Sequence, residues 1–133
     1  MGMMARLRVA GVRVERTPGR VAVSVNLLHN DTMLSARVER PAGESAGVQV
    51  AAEAAVEAVQ KAAPPGTAFT LQRASSYLVS AGPAVVTHIV VETPRGQEHL
   101  VGSALGRGGP LEDAAVAAVV DAVDRRLAWL LRR

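Results

Sequence analysis

The sequence predicts an α+β fold built from two βββα repeats, with an antiparallel sheet and two helices packed on one face. Two observations lead to this prediction. Segments 50–59 (VAAEAAVEAV) and 114–123 (AAVAAVVDAV) align without gaps at five identical positions. Each segment follows Val-rich sequence in which apolar and polar residues alternate, the pattern of half-buried strands. We therefore expect a single domain over residues 1–133, with units at about 6–63 and 67–131.

The composition indicates a globular domain with a core of Val, Ala and Leu. Hydrophobic residues make up 49% of the chain, yet Phe69, Tyr77 and Trp129 are its only aromatic residues. The absence of Cys excludes disulfides and thiol chemistry. No apolar run approaches the ~20 residues of a membrane-spanning helix, and the N-terminus lacks the apolar core of a signal peptide. We therefore expect a cytoplasmic protein that has no membrane partner.

The first unit begins with three strands, after a start at residues 1–5 that we expect to be disordered. These strands are predicted over Leu7–Arg16, Arg20–Leu28 and Met33–Arg40. Gly11 lies where the alternation of the first strand changes phase, which is typical of a β-bulge. Pro18-Gly19 predicts the first turn, because Pro presets φ and Gly accepts a positive φ.

The first helix is predicted over Val48–Ala63, after a loop at Pro41–Gly47. Lys61 in its last turn suits the negative end of the helix dipole. Pro64-Pro65-Gly66 ends the helix, because Pro removes a backbone donor and Gly suits a C-terminal cap.

The second unit repeats this order, with strands predicted over Ala68–Leu78, Val85–Thr93 and Glu98–Leu105. A four-residue loop at 94–97 would place Val91 opposite Leu100 and Ile89 opposite Gly102. On the other face, Val90 would lie opposite Val101 and Glu92 opposite His99. Both faces of this hairpin then carry apolar residues, and only one can pack on the helices. A second copy of the chain is the simplest cover for the other face, so we expect a homodimer.

The last helix is predicted from Pro110 to about Leu131. Pro110 suits the first helical position, and Glu112 and Asp113 place negative charge in the first turn. Asp121 and Asp124 are expected in solvent. An apolar stripe with helical spacing comprises Val116, Val119, Val120, Val123, Leu127, Leu130 and Leu131.

No catalytic or metal-binding constellation is recognisable in the sequence. The three His residues, His29, His88 and His99, lack helical spacing and a carboxylate cluster. His99 opposite Glu92 is most simply a cross-strand surface pair. The Ser residues form no nucleophile elbow. We therefore expect no enzymatic activity, no cofactor and no metal site.

The glycine-rich loop before the last helix is the strongest candidate for ligand binding. Its residues Gly106, Arg107, Gly108 and Gly109 precede a helix N-terminus, where free N–H groups attract anions, and the Arg side chain can add a charged contact. Glu112 and Asp113 would repel a phosphate there, so a simple turn is the alternative interpretation. In the first unit, the corresponding candidates are Gly43 and Ser45.

The N-terminal third is basic, with seven Arg and three acidic residues over positions 1–40. An Arg excess beside a single Lys is also typical of GC-rich genomes. If the excess serves nucleic-acid binding, the side chains should cluster on one exposed face, and affinity should fall steeply with salt. The candidates for such a face are Arg6, Arg8, Arg13, Arg16 and Arg20.

Residues 101–127 resemble the last strand and helix of the C-terminal regulatory domain of 2-isopropylmalate synthases. The matching residues are Gly106, Gly108, Asp113, Ala115, Ala118, Ala122 and Arg125. That family repeats a βββα unit, its domains pair, and an amino-acid effector binds at their interface near these loops. The resemblance implies a non-enzymatic regulatory module that dimerises and senses a small-molecule effector. The first unit departs from the family, since 43–48 (GESAGV) replaces its Gly-Pro-Val loop, and the catalytic barrel is absent.

The order of helix 48–63, three strands and helix 111–131 is similar to that of double-stranded-RNA-binding domains. Gly82-Pro83 followed by His88 is similar to that family's Gly-Pro-x-His segment. Such domains hold phosphates with a Lys pair at the start of the last helix, where this sequence has Glu112 and Asp113. The reversed charge argues against nucleic acid as a partner. A third interpretation is an assembly module without a ligand, which predicts an apolar sheet face and no pocket.

Overall fold

A computed structural model describes residues 7–43 and 46–131, which form six strands and two helices. The start predicted to be disordered, residues 1–5, lies outside the described residues. The predicted α+β class and the βββα-βββα order are confirmed, and the antiparallel strands form two three-stranded sheets. In chain order the elements are β1 (Leu7–Thr17), β2 (Arg20–His29), β3 (Thr32–Pro41), α1 (Ala46–Gln60), β4 (Ala68–Val79), β5 (Gly82–Thr93), β6 (Gly96–Leu105) and α2 (Leu111–Leu131).

Each sheet keeps its strands in chain order: β1-β2-β3 form the first sheet and β4-β5-β6 the second. Two-residue turns join the strands, since the pairs Thr17–Arg20 and His29–Thr32 close the hairpins of the first sheet. Asn30 adopts a positive φ of 56°, as tight hairpin turns require. The short turns leave little freedom in the pairing of neighbouring strands.

The register of the β5–β6 hairpin differs from the sequence prediction by two residues. Its turn contains only Pro94 and Arg95, because Thr93 pairs with Gly96. The predicted opposite partners were therefore wrong. The observed pairs include Val91–Glu98, Ile89–Leu100, Val90–His99, Glu92–Gln97 and His88–Val101. Because the shift is an even number of residues, the division of side chains between the two faces is unchanged.

Both repeats carry a β-bulge at the same place in their first strand. The register shifts between Val9 and Gly11 in β1, which confirms the predicted bulge, and between Leu71 and Arg73 in β4. Leu27 and Ile89, the central-strand partners of Val9 and Leu71, are both fully buried. The internal repeat therefore extends from the helices to the details of strand pairing.

The two units share one core, because each helix packs on strands from both sheets. Helix α1 packs on β2, β3 and β4, α2 packs on β5, β6 and β1, and the helices pack on each other. Small side chains such as Ala54 and Ala118 are fully buried in this core. Of the stripe predicted on α2, Val120 is only partly buried, and the side chain of Leu131 lies outside the described residues. The members of the stripe that are buried are Val116, Val119, Val123, Leu127 and Leu130.

Helix α2 also closes the edges of two strands with carboxylates, of which Asp121 is exposed, as predicted, and Asp124 is half-buried. The Ser103 N–H of β6 donates to Oδ2 of Asp121 at 3.0 Å. The Leu7 N–H of β1 donates to Oδ1 of Asp124 at 2.9 Å. These bonds satisfy backbone donors that edge strands otherwise leave to water. Neither helix in the described part of the chain is long and apolar enough to span a membrane.

Candidate functional site: the Arg16–Glu112 cleft

The first turns of both helices border one cleft of about 450 Å³. The first unit contributes the end of β1, the start of β2, and the loop and first turn that lead into α1. The second unit contributes Leu111 and Glu112, the first two residues of α2. We call this cavity the Arg16–Glu112 cleft. Its volume lies within the ~300–1,000 Å³ that is common for small-molecule sites.

An ion pair between the two units forms one wall of the cleft. Arg16 lies opposite the buried Val21 in β1–β2 pairing, and therefore points towards the helices. Its Nη2 donates to Oε2 of Glu112 at 2.5 Å. Glu112 is only 8% exposed, so this charged hydrogen bond compensates for the burial of the carboxylate.

The carboxylate of Glu112 lies against the first turn of α1. An ideal Cβ on Gly47 would overlap Oε2 of Glu112 and would lie 2.9 Å from Nη2 of Arg16. The first N–H groups of a helix have no partner within the helix, and negative charge near them is favourable. Glu112 thus supplies an anion close to the start of α1 as well as in the first turn of α2.

The predicted ligand-binding residues divide between two separate cavities. Gly43 lines the Arg16–Glu112 cleft, and Ser45 lies outside the described residues. Gly106, Arg107 and Gly109 line a second cavity of about 560 Å³, together with Asp113. The structure therefore does not bring the two predicted loops into one pocket.

The glycine-rich loop uses part of its own backbone for internal hydrogen bonds. The N–H of Gly106 donates to the Pro83 carbonyl at 2.8 Å, and that of Gly109 donates to the Gly106 carbonyl at 3.0 Å. Arg107 and Gly108 have positive φ values of 51° and 80°, the conformation of a tight turn. The predicted alternative, a turn that leads into the helix, accounts for this geometry.

The candidate nucleic-acid residues do not form a single surface. Arg8, Arg13 and Arg20 lie on the face of the first sheet that points away from the helices, because Arg8 and Arg13 pair with Leu28 and Ser24 of β2. Arg16 lies on the opposite face, so the expectation of one common face was wrong. Arg6 lies outside the described residues.

Acidic side chains offset part of the charge on that outer face. Glu39 accepts hydrogen bonds from Arg20 at 2.5 Å and from Arg37 at 3.2 Å. The bond from Arg20 is the main cause, and that from Arg37 the second, of a lowered pKa for the Glu39 carboxyl. The outer face of the first sheet therefore carries a network of ion pairs rather than a uniformly basic patch.

The outer face of the second sheet, which points away from the helices, has a different character. Tyr77, Val101 and Leu105 lie on it with exposures of 53%, 66% and 41%. This is the second apolar face that the sequence predicted for the β5–β6 hairpin. It contrasts with the charged outer face of the first sheet.

Two histidines contact each other on this second-sheet face. Nε2 of His88 and Nδ1 of His99 are 2.7 Å apart. The ring centroids are 5.0 Å apart and the ring planes differ by 29°. The rings therefore meet edge to edge, since the centroid distance equals the N···N distance plus the two ring radii. The predicted His99–Glu92 pair was wrong because the register is shifted. Among the described residues, no group of three His or acidic side chains could hold a metal ion.

Sequence reasoning did not find the Arg16–Glu112 pair, since 96 residues separate the two positions. The local signals were present separately: an Arg at the end of a strand and a Glu in the first turn of a helix. Only the packing of α2 against α1 and β1 brings them together.

The sequence matches no model of a known protein family, and no curated protein is significantly similar to it.

Proposed function

We propose that this protein is a non-enzymatic regulatory module that binds a small zwitterionic ligand in the Arg16–Glu112 cleft. The observation that carries the proposal is the presence of both charge signs in one small cavity. Arg16 can face a ligand carboxylate, and Glu112 can face an ammonium group. An amino acid is the simplest ligand with these two groups, which agrees with the resemblance to an amino-acid-sensing regulatory domain.

The position of the cleft supports a regulatory role rather than simple storage. Its walls come from both repeats, so a bound ligand would contact the first turns of α1 and α2 at once. A ligand that binds only the native arrangement of the two helices stabilises that arrangement by mass action. Binding would thereby be coupled to the packing between the two units.

The test is calorimetric titration and thermal unfolding with a panel of amino acids and small carboxylic acids. At a ligand concentration of 100 Kd, we expect a stabilisation of about 2.7 kcal/mol. Arg16→Gln should remove this stabilisation, because it removes the cation that would bind the ligand carboxylate. Arg13→Gln is the matched control, since Arg13 is exposed on the other face of the same strand. A panel without any binder, or equal binding by Arg16→Gln, would contradict the proposal.

A second candidate function is assembly into a homodimer through the outer face of the second sheet. The exposed Val101, Tyr77 and Leu105 favour it, since apolar side chains gathered on one face commonly mark an interface. Val101→Glu should dissociate the dimer and leave the fold intact. Arg13→Glu, a charge change on the outer face of the first sheet, is the control. Sedimentation velocity distinguishes these outcomes, and a wild-type monomer would refute this candidate.

Nucleic-acid binding receives less support from the geometry. The candidate Arg residues do not share one face, and Arg20 on the outer face is paired with Glu39. The expected steep salt dependence of binding remains the measurement that would revive this interpretation.

A further inference from the structure

We propose that His88 and His99 form half of a zinc site, which a second copy of the chain completes with its own two histidines. The inference rests on the assembly candidate above, because the outer face of the second sheet carries both rings. It adds a ligand class that the sequence did not predict.

The pair brings two nitrogen ligands of one chain next to each other. His88 and His99 occupy diagonal positions on neighbouring antiparallel strands, since His88 pairs with Val101 and His99 with Val90. Their facing nitrogens, Nε2 and Nδ1, are 2.7 Å apart. Neutral imidazole nitrogen is the commonest protein ligand of transition metals.

A metal ion can enter between the rings with a small side-chain adjustment. Zinc binds imidazole nitrogen at about 2.0–2.1 Å, so two nitrogens in a tetrahedral site lie about 3.3 Å apart. The present separation of 2.7 Å must therefore increase by about 0.6 Å, and both rings must rotate so that the nitrogens that now face each other point at the metal. His99 is exposed and His88 half-buried, so no core packing opposes this movement. The metal would replace the hydrogen bond that now joins the two rings.

The described residues of one chain do not complete the coordination sphere. Structural zinc sites are almost always four-coordinate, and no third His or acidic ligand joins the pair within the described residues. The neighbours of the two rings in the strand pairing are Val90 and Val101, with Arg73 opposite His88 in β4. The Arg73 guanidinium donates to Oγ of Ser75 at 3.0 Å.

A second copy fits the two empty positions. A two-fold axis through the ion would bring four imidazoles together, which is a symmetric arrangement for a homodimer. The same contact would bury Val101, which is 66% exposed beside the pair. Zinc is the preferred ion because it accepts a tetrahedral set of imidazoles without redox chemistry.

The experiment uses untagged full-length protein, native mass spectrometry and sedimentation velocity, with zinc chloride added or removed by EDTA. We expect one zinc per two chains, and a dimer dissociation constant that falls about tenfold or more when zinc is present. His88→Gln and His99→Asn should each abolish zinc binding and the zinc-dependent tightening. His29→Gln is the control, because His29 lies in the first sheet and should keep both effects.

Two results with bound zinc would overturn the inference: one zinc per chain on a monomer, or zinc binding that survives both His variants. A third result is a dimer that binds no zinc and that Val101→Glu dissociates. This result would refute the metal site and leave the assembly candidate standing. Zinc-dependent pairing that only the His variants abolish would support the site.

Discussion

The carboxylate of Glu112 occupies the space that a side chain on Gly47 would need. The two residues lie in the first turns of different helices, and an ideal Cβ on Gly47 would overlap Oε2 of Glu112. Glycine at this position therefore allows α2 to place its acidic first turn against α1. The contact joins the two repeats at the cleft that we propose as the ligand site.

Replacing Gly47 by Ala should destabilise the protein, although Ala favours helices. In an open helix the change would gain about 0.5–1 kcal/mol, but here the methyl group must displace Glu112 and its partner Arg16. Overpacking of this kind costs about 1–3 kcal/mol. Urea unfolding of the purified variant measures the free-energy difference.

Gly43→Ala is the control for this prediction, since an added Cβ there meets no atom within 4 Å. Its effect should stay within about 0.5 kcal/mol. A Gly47→Ala variant as stable as the wild type would show that Glu112 can move without cost.

A second glycine sets the distance between α2 and its own sheet. A Cβ on Gly102 would lie 2.8 Å from Cβ of Ala122 and would also overlap backbone atoms of α2. Backbone atoms of a helix cannot move away as a flexible side chain can. Gly102→Ala should therefore lower the free energy of unfolding by about 2–3 kcal/mol or prevent folding. Gly11→Ala, also in an edge strand, should be milder, since its nearest atom is Nδ2 of Asn26 at 3.8 Å. Thermal unfolding of both variants provides the comparison, and equal melting temperatures would contradict it.

Asp124 should protect the start of β1 from local opening. Its Oδ1 accepts the Leu7 N–H, so Asp124→Ala leaves that donor to solvent. We expect a loss of about 0.5–1.5 kcal/mol and faster hydrogen exchange at the Leu7 amide. Asp113→Ala is the control on the same helix, because Asp113 is exposed and forms no ion pair in the described structure. Unchanged exchange at Leu7 in Asp124→Ala would show that the bond does not hold the strand.

The order of strands and helices and the bulge in β1 followed from local patterns in the sequence, although α1 ends at Gln60 and leaves Lys61, which was predicted in its last turn, beyond the helix. Alternation identified the strands, because one face of each sheet is buried, and the repeated Ala-rich segments identified the helices. The bulge at Ala10 could be predicted because Gly11 follows it, whereas in β4 the extra residue is Gln72 and Arg73 follows it, so that no glycine marks the bulge.

Long-range pairing accounts for most of what sequence reasoning missed. The strand partners of His88 and His99 depend on the length of the turn at Pro94-Arg95. A turn of two residues and a turn of four residues bury the same faces of the hairpin, so the alternation of side chains could not distinguish them. The hydrogen bonds from strand edges to Asp121 and Asp124 were not predicted, because the helix position of these residues says nothing about the strands beside them. The Arg16–Glu112 cleft depends on both repeats packing together, which no local pattern describes.

The pKa of Glu39 offers a test of the ion-pair network on the outer face of the first sheet. Arg20 first, and Arg37 second, lower the pKa of this carboxyl by hydrogen bonding to its charged form. A carboxyl with a lowered pKa stabilises the folded protein above its unfolded pKa of about 4.3, and this contribution disappears as the pH falls through the folded pKa. Arg20→Gln should raise the Glu39 pKa towards its ordinary value, and Arg37→Gln should raise it less. Carbon-detected NMR titration of the carboxyl measures both shifts, with Arg13→Gln as the control on the same face. A Glu39 pKa unchanged in Arg20→Gln would mean that solvent screens the pair completely, and that the Arg residues of this face are available to other partners.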